Sequence, residues 1–192
     1  MIKLIVGLGN PTDEYLTTRH NVGQWLVSRL ADFFFSPLKL EKKFFGEYAR
    51  VQNNHFNGHL LFPTTYMNRS GLSVRSVSEY FNIKPNEILV VHDELDIPCG
   101  NIKLKHNGGH GGHNGLRDIQ SQLATDQFHR LRLGIGHPGD KTKVTSFVLS
   151  SPSKQELILI SDAIEEGINH IDDIIAGRFD QAKQTLHTKP KI

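Results

Sequence analysis

The 192-residue sequence predicts a single α/β domain with a mostly parallel or mixed sheet. Short apolar runs typical of buried strands alternate along the chain with segments whose apolar residues recur at helical spacing. The length and the 38% hydrophobic content are those of a soluble chain with one sizeable core. We expect the domain to cover residues 1–192, with a basic tail that begins at about residue 178.

Hydrophobic periodicity assigns the individual elements. Strands are predicted at residues 2–6, 47–52, 59–62, 88–91 and 131–135. Helices are predicted at residues 21–34, 70–81, 116–123 and 155–176. The last of these has the most regular apolar stripe in the chain, and we expect that stripe to face the core. A short helix is also expected in the tail, before its basic end.

Composition narrows the class of protein. The formal charge of +2 and the pI near 8.7 favour an anionic partner only weakly. Cys99 is the single cysteine, so an intrachain disulfide and a cysteine-rich zinc module are excluded, and a reducing, cytoplasmic location is expected. The first apolar run stops at Gly7 without a cleavage-site pattern, which favours a strand over a signal peptide, and no apolar run has membrane-spanning length.

Polar residues follow directly after two predicted strands. Asp93 comes at the end of the apolar run 88–91, and Asn10 comes shortly after the first strand. Open α/β proteins bind ligands at the carboxyl ends of their strands. We therefore expect a functional site at this edge of the sheet.

Residues 7–11, Gly-Leu-Gly-Asn-Pro, raise the alternative of a dinucleotide-binding loop. Thr12 stands where the third glycine would be, and Pro11 lacks an amide that a pyrophosphate would use. The pattern therefore disfavours a nucleotide cofactor. Asn10 is then either a turn former ahead of proline or a side-chain amide held at the edge of the sheet.

His20 is the candidate general base. Taken alone, it is a surface histidine just before a helix that Asn21 would cap. Asp93 changes this interpretation, because a carboxylate that accepts from one imidazole nitrogen leaves the other nitrogen free to take a proton. No serine-nucleophile motif is present, and Cys99 lies in a Pro-Cys-Gly turn, so the pair points to an activated water.

Two further asparagines lie at element boundaries. Asn68 and Asn114 each precede a predicted helix, where helix capping is the plain explanation. Amides both donate and accept hydrogen bonds, which suits binding a peptide main chain or an oxyanion without adding charge. If these residues converge with Asn10, they form a substrate site.

Basic residues occur in two pairs with strand spacing. Lys103 and Lys105 are two residues apart, as are Arg130 and Arg132. In extended segments each pair points to one face of a sheet. Both a solvated basic face and a track for nucleic-acid phosphates are consistent with this spacing.

The segment 105–118 contains five glycines and three histidines. His106, His110 and His113 have the spacing of metal ligands on a helix, but the glycines disfavour a helix and no carboxylate or cysteine lies between them. A metal site is therefore disfavoured. We interpret the segment as a flexible flap between a basic strand and the helix that Asn114 introduces.

Five segments together closely resemble the bacterial peptidyl-tRNA hydrolase family. They are GLGNPTDEYLTTRHNVG at 7–23, PTTYMNRSG at 63–71, VHDELDIPCG at 91–100, GGHGGHNGLRDI at 108–119 and FHRLRLGIGHPGDK at 128–141. The resemblance covers most of the chain. It implies a mixed twisted sheet flanked by helices, and an enzyme that cleaves the ester between a peptide and the 3′-terminal ribose of tRNA.

The same resemblance implies roles for particular residues. His20 is the base that activates water, Asp93 orients it, and Asn10 helps to distinguish a peptidyl from a free aminoacyl group. The residues that match substrate-contacting positions near the tRNA 3′ end are Tyr15, Tyr66, Met67, Asn68 and Asn114. The residues that match a basic surface for tRNA phosphates are Lys103, Lys105 and Arg132. The resemblance also implies a cytoplasmic monomer without metal or other cofactor.

Three positions depart from the common residues of the family: Thr12 for glycine, Phe62 for lysine and Glu94 for aspartate. The sequence leaves two alternatives of other classes open. A tRNA-binding module without catalysis would have no need for the pair of His20 and Asp93. A nucleotide-dependent enzyme would need the glycine pattern that Pro11 and Thr12 break.

Overall fold

The structure, a computed structural model, describes residues 1–187. Within them, the strands are β1 (Leu4–Gly7), β2 (Lys39–Glu41), β3 (Gly46–Gln52), β4 (Asn57–Pro63), β5 (Ile88–Glu94), β6 (Ile102–His106) and β7 (His129–Gly134). The α-helices are α1 (Val22–Phe33), α2 (Ser70–Phe81), α3 (Asn114–Leu123), α4 (Val144–Val148), α5 (Lys154–Asn169), α6 (Ile171–Ile175) and α7 (Phe179–His187). No helix among the described residues is both long and apolar enough to cross a bilayer.

The strands form one mixed sheet in the order β2-β3-β4-β1-β5-β7-β6. The four strands β4, β1, β5 and β7 are parallel neighbours, whereas β2, β3 and β6 are joined by antiparallel pairing. Because β2 is antiparallel to β3, and β3 to β4, β2 runs in the direction of the central strands. The predicted mixed, mostly parallel α/β fold is therefore confirmed.

Each face of the sheet carries its own apolar core. On β1, Ile5 belongs to the core covered by α1, α5, α6 and α7, and Leu4 and Val6 belong to the core under α2 and α3. The division follows from the alternation of side chains along a strand. All three side chains are fully buried, and full burial of such a side chain stabilises a fold by roughly 1.5–3 kcal/mol.

The N-terminus of α1 lies in close contact with the central strands. A Cβ at Gly23 would lie 2.2 Å from the carbonyl oxygen of Val91 in β5, so only glycine fits here. This contact brings the turn just before α1, which contains His20, close to the carboxyl end of β5. Local packing therefore positions His20 beside the strand that carries Asp93.

The predicted helix at 155–176 is wrong as a single element. The chain leaves helical geometry at His170 (φ −107°, ψ 8°), which separates α5 from α6. After the break, Ile171 and Ile175 of α6 are buried, and the carbonyl of Ile175 accepts a hydrogen bond from the N–H of Ile2. Leu157 is 45% exposed, so the apolar stripe leaves the core at its N-terminal end.

Other differences concern short elements and ends. The strand β2 and the five-residue helix α4 were not predicted. The strand β5 extends through Asp93 to Glu94 instead of stopping before the polar residues. The helix predicted in the tail is confirmed as α7, and the basic end of the tail lies outside the described residues.

Candidate active site

A cleft of about 790 Å³ lies at the carboxyl ends of the central strands. It is lined by the predicted residues Asn10, Tyr15, His20, Tyr66, Met67, Asn68, Asp93 and Asn114. The structure therefore brings the three asparagines together with His20 and Asp93, a convergence that the sequence leaves open. The predicted basic residues Lys103, Lys105 and Arg132 do not line the cleft.

His20 and Asp93 form a buried pair. The His20 Nδ1 atom lies 2.9 Å from each oxygen of Asp93. The two side chains are 10% and 2% exposed. Since Nδ1 is engaged by the carboxylate, Nε2 is the nitrogen of His20 that is available to a ligand in the cleft.

His113 approaches the same carboxylate from the glycine-rich segment. Its Nε2 lies 2.9 Å from Asp93 Oδ1, and its ring centroid lies 4.8 Å from that of His20. Its Nδ1 accepts the backbone N–H of Leu116 and caps α3. Because Nδ1 is an acceptor, Nε2 carries the proton and donates to Asp93. The sequence had suggested His113 only as a metal ligand.

The two histidines shift the pKa of Asp93, and Asp93 shifts the pKa of His20. Burial raises the pKa of Asp93, but the neighbouring His20 and His113 outweigh burial and hold the pKa well below its usual range. Burial lowers the pKa of His20, but the charge of Asp93 and its hydrogen bond outweigh burial and raise it. Asp93 is therefore ionised at neutral pH.

Among the described residues, His20, Asp93 and His113 are also the one group whose ligand atoms, within 4.8 Å of each other, suit a metal ion. A metal would have to displace the two N–H protons that face Asp93, and His113 would lose its cap on Leu116 if it changed tautomer. The geometry therefore favours a hydrogen-bonded trio over a metal centre. His106 lies against His129 instead, so the three histidines of the glycine segment do not converge.

Asn10 is fixed by two other segments. Its backbone N–H donates to Asn21 Oδ1, and its carbonyl accepts from Asn21 Nδ2, both at 2.9 Å. Its side-chain Oδ1 accepts the backbone N–H of Met67 at 2.8 Å. The predicted capping role of Asn21 is wrong: it stands at the N-cap position of α1, but its side chain makes no capping hydrogen bond and instead braces the turn that follows β1. The Asn10 amide keeps its NH₂ group for donation.

Asn68 and Asn114 line the cleft without capping a helix. His113, not Asn114, is the N-cap of α3, and Asn114 is the first residue of that helix. Asn68 lies in a short 3-10 helix, Met67–Arg69, that leads into α2. Both asparagine side chains are exposed, as is Tyr66 at 54%, so these groups are accessible to a ligand in the cleft.

The glycine-rich segment is anchored on both sides of Gly111 and Gly112, by Arg130 at Gly108 and Gly109 and by the contact of His113 with Asp93. The carbonyls of Gly108 and Gly109 accept from the guanidinium of Arg130, and Gly108 also accepts from Gln120. Gly111 and Gly112 have φ of +57° and +82°, and a Cβ there would touch nothing. The backbone beside the cleft therefore needs glycine for its conformation. Flap motion stays a prediction.

The basic residues are on paired strands. Lys103 lies opposite Arg132, and Lys105 opposite Arg130, in the antiparallel pair of β6 and β7. The predicted extended spacing is confirmed. Arg130 is only 2% exposed and holds the glycine segment, so it belongs neither to a solvated basic face nor to a track for phosphates. Arg132 lies 3.8 Å from Glu94, and Lys103 is exposed.

A wall of the cleft that the sequence did not reveal comes from α4 and its flanks. Val144, Thr145, Val148 and Leu149 line the cleft. A five-residue helix has too few residues to display a helical period, so no pattern predicts it.

The structure shows the surroundings of the three residues that differ from the common residues of the family. Thr12 is extended (φ −87°, ψ 151°), a conformation that needs no glycine. Phe62 is buried on β4, and Glu94 lines the cleft at the end of β5.

Comparison with known proteins agrees with this geometry. The family model described as peptidyl-tRNA hydrolase matches residues 4–192. Peptidyl-tRNA hydrolases of Neisseria meningitidis serogroup A and Ruthia magnifica are 53% and 54% identical over 188 residues, which cover 98% of this chain and 98% of each relative. The crystal structure of the Acinetobacter baumannii enzyme is 46% identical with a TM-score of 0.94, covering 97% of this chain and 95% of that one.

These likenesses, together with the fold and the cleft, identify the chain as a hydrolase that has an α/β fold. It belongs to the peptidyl-tRNA hydrolase family. Membership favours an enzyme over a binding module without catalysis and over a nucleotide-dependent enzyme.

Proposed function

We propose that this chain hydrolyses the ester between a peptide, or an N-blocked aminoacyl group, and the 3′-terminal ribose of tRNA. The observation that carries the proposal is the buried pair of His20 and Asp93, whose imidazole has one nitrogen fixed and the other available in the cleft. Among the described residues, neither serine nor cysteine lines the cleft, which supports water as the nucleophile.

In this mechanism His20 Nε2 takes a proton from water as the oxygen bonds to the ester carbonyl carbon. The tetrahedral intermediate carries the negative charge on the former carbonyl oxygen. When the carbon–oxygen bond to the ribose breaks, protonated His20 gives the proton to the leaving 3′ oxygen. Asp93 steadies the imidazolium between these steps, and His113 holds Asp93 in place.

The oxyanion needs hydrogen-bond donors that are oriented before the reaction. The Asn68 and Asn114 amides line the cleft and supply neutral donors, as do backbone N–H groups of the glycine segment. Asn10, whose orientation is set by Asn21 and Met67, is assigned to the peptide part of the substrate.

The tRNA is assigned to two regions. Tyr15, Tyr66 and Met67 receive the 3′ end, since they line the cleft beside the base. Lys103, Lys105 and Arg132 face phosphates of the tRNA body, where cations position a backbone without reading its sequence. We further propose that the enzyme acts as a cytoplasmic monomer without a metal cofactor.

The first test is hydrolysis of N-acetylaminoacyl-tRNA in EDTA by wild type and by His20→Ala. A positioned general base contributes about 10²- to 10⁴-fold, so we expect kcat to fall by that range while tRNA affinity stays unchanged. The matched control is His55→Ala, since His55 is exposed and pairs with Asp172 away from the cleft.

Near-normal hydrolysis by folded His20→Ala would refute the assignment of the base. Failure of wild type to release the acyl group in EDTA, with recovery on adding a divalent metal, would contradict the metal-independent mechanism.

A further inference from the structure

The C-terminal helix α7 is fixed along the edge strand β6. His187 Nε2 accepts the backbone N–H of Leu104 at 3.0 Å, an amide on the open side of that strand. Ala182 and Leu186 are buried in the core on the same face. Both contacts hold α7 beside the strand that carries Lys103 and Lys105.

Cations gather where α7 meets this edge. Burial, followed by the charges of Lys103, Arg132 and Lys183, lowers the pKa of His187. The geometry places the same cations together: Lys103 directly precedes Leu104, the residue that His187 contacts, and Arg132 lies opposite Lys103 in the pair of β6 and β7. Lys183 lies four residues before His187, on the same side of α7. A neutral His187 keeps its Nε2 lone pair for Leu104 and adds no repulsion to the cluster.

Lys183 is the one member of this cluster that α7 itself contributes. Its side chain is 37% exposed, and its Nζ lies 3.9 Å from Oδ1 of Asp180, which is fully exposed. An exposed pair at this distance is weak and is screened by salt. Lys183 therefore remains able to bind an anion.

We propose that α7 extends the tRNA-binding surface around the edge of the sheet, with Lys183 contacting a phosphate of the tRNA body next to Lys103 and Arg132. The proposal rests on the proposed function, because it takes tRNA as the substrate. Repeated phosphates of an RNA backbone fit cations spread over several elements, whereas the cleft holds only the 3′ end. His187 is a positioning residue in this scheme, since it fixes α7 to β6.

The test compares Lys183→Glu with Lys39→Glu. Lys39 is an exposed lysine on β2, the opposite edge strand of the sheet, so the two variants change charge equally. The substrates are N-acetylaminoacyl-tRNA and the same acyl group on a CCA trinucleotide, which lacks the tRNA body. We expect Lys183→Glu to raise KM for the full tRNA by roughly 3- to 10-fold and to reduce the salt slope by about one phosphate contact.

KM for the trinucleotide and kcat for both substrates are expected to stay at wild-type values in Lys183→Glu. Equal KM of Lys183→Glu and Lys39→Glu on the full tRNA would overturn the proposal. The proposed function fails separately, and visibly, if wild type hydrolyses neither substrate.

The positioning role of His187 has its own readout. His187→Ala removes the acceptor for the Leu104 amide, so we expect faster hydrogen exchange at Leu104 together with a higher KM for the full tRNA. His187→Gln supplies a side-chain oxygen as acceptor and should restore both. Unchanged KM in His187→Ala, despite faster exchange at Leu104, would show that the position of α7 does not matter to tRNA.

Discussion

Asp93 is the central residue of the candidate site, because its carboxylate contacts both histidines. It receives N–H groups from His20 on one side and from His113 on the other. A carboxylate with two such donors is ionised and cannot rotate freely, so it presents a fixed acceptor to His20. This explains why a buried negative charge is tolerated, since a charge without partners would cost several kcal/mol.

The pH dependence of Asp93→Asn tests this arrangement. As a base, His20 must be neutral, so kcat/KM should rise with pH through the pKa of His20, which Asp93 raises above its usual value. Asparagine removes the charge but leaves the burial that lowers the pKa. We therefore expect the rising limb of kcat/KM to shift to lower pH while its plateau falls.

The measurement is kcat/KM against pH on N-acetylaminoacyl-tRNA. Asp172→Asn, whose carboxylate is exposed and pairs with His55, serves as the control and should retain the wild-type limb. A limb of Asp93→Asn that coincides with wild type would contradict the coupling between His20 and Asp93.

Some residues of the site were predictable from local sequence and others were not. Asp93 and Asn10 follow buried strands, and strand ends of a parallel sheet meet at one edge. The bracing of Asn10 by Asn21, and the bond from His113 to Asp93, join segments whose approach no spacing reveals. A simpler role was available for Asn21, as a helix cap, and for His113, as a metal ligand. These simpler roles concealed the contacts that the two residues make.

At the scale of elements, Arg19 joins the turn that contains His20 to the wall formed by α4. Its Nη1 donates to Ser150 Oγ at 2.8 Å, and its Nη2 lies 2.9 Å from Glu156 in α5. The guanidinium carbon lies 4.1 Å from the Phe147 ring centroid. The Arg19 side chain therefore connects the turn that contains His20 to the end of α4 and the start of α5.

Arg19→Lys is expected to loosen α4 without changing the proton chemistry. Lysine keeps the charge but cannot reach Ser150 and Glu156 together. Loss of buried hydrogen bonds of this kind costs about 1–3 kcal/mol in unfolding free energy. We expect faster amide exchange at Leu149 and Ser150 and a higher KM. The rise of kcat/KM with pH, which reports the pKa of His20, should stay at the same pH as in wild type.

Arg29→Lys is the matched control, since Arg29 forms an exposed pair with Glu165 on the surface of α1 and α5. It should leave both the amide exchange and KM unchanged. If Arg19→Lys behaves like this control, α4 is held by its apolar contacts alone.

Elements with a long apolar period were predictable, and short or interrupted ones were not. The bounds of α2 agree with its pattern, because Val74 and Val77 recur at helical spacing on a buried face. The pattern of 155–176 continues across His170, so it conceals the break between α5 and α6. Tertiary packing, not local preference, decides where such a helix turns.

At the scale of the whole molecule, the two cores leave several histidines buried and neutral. Burial and the nearby Arg50 lower the pKa of His59 to about 4, and burial and the neighbouring His113 lower the pKa of His92 to about 3. Burial and the neighbouring His106 lower the pKa of His129 to about 4. These histidines belong to β4, β5 and β7, so the effect is spread across the sheet.

The free energy of unfolding should therefore fall as pH drops from about 6.5 to about 4. In this window the unfolded chain protonates these histidines near 6.5, whereas the folded chain does not, so unfolding takes up protons. Each proton taken up contributes a slope of about 1.4 kcal/mol per pH unit. His20 acts oppositely, because its raised pKa contributes stability that is lost as pH rises above its unfolded value.

Urea unfolding at a series of pH values measures this slope, with His129→Gln and His59→Gln as variants. Each variant removes one histidine that, in this pH range, is neutral only in the folded state. Each should therefore lower the number of protons taken up on unfolding between pH 6 and 4.5 by up to about one, which flattens the decline of the free energy. At pH 8 the histidines are neutral in both states, and any remaining difference there reports lost packing alone. A wild-type free energy that is flat between pH 6.5 and 4.5 would contradict the burial of neutral histidines across the sheet.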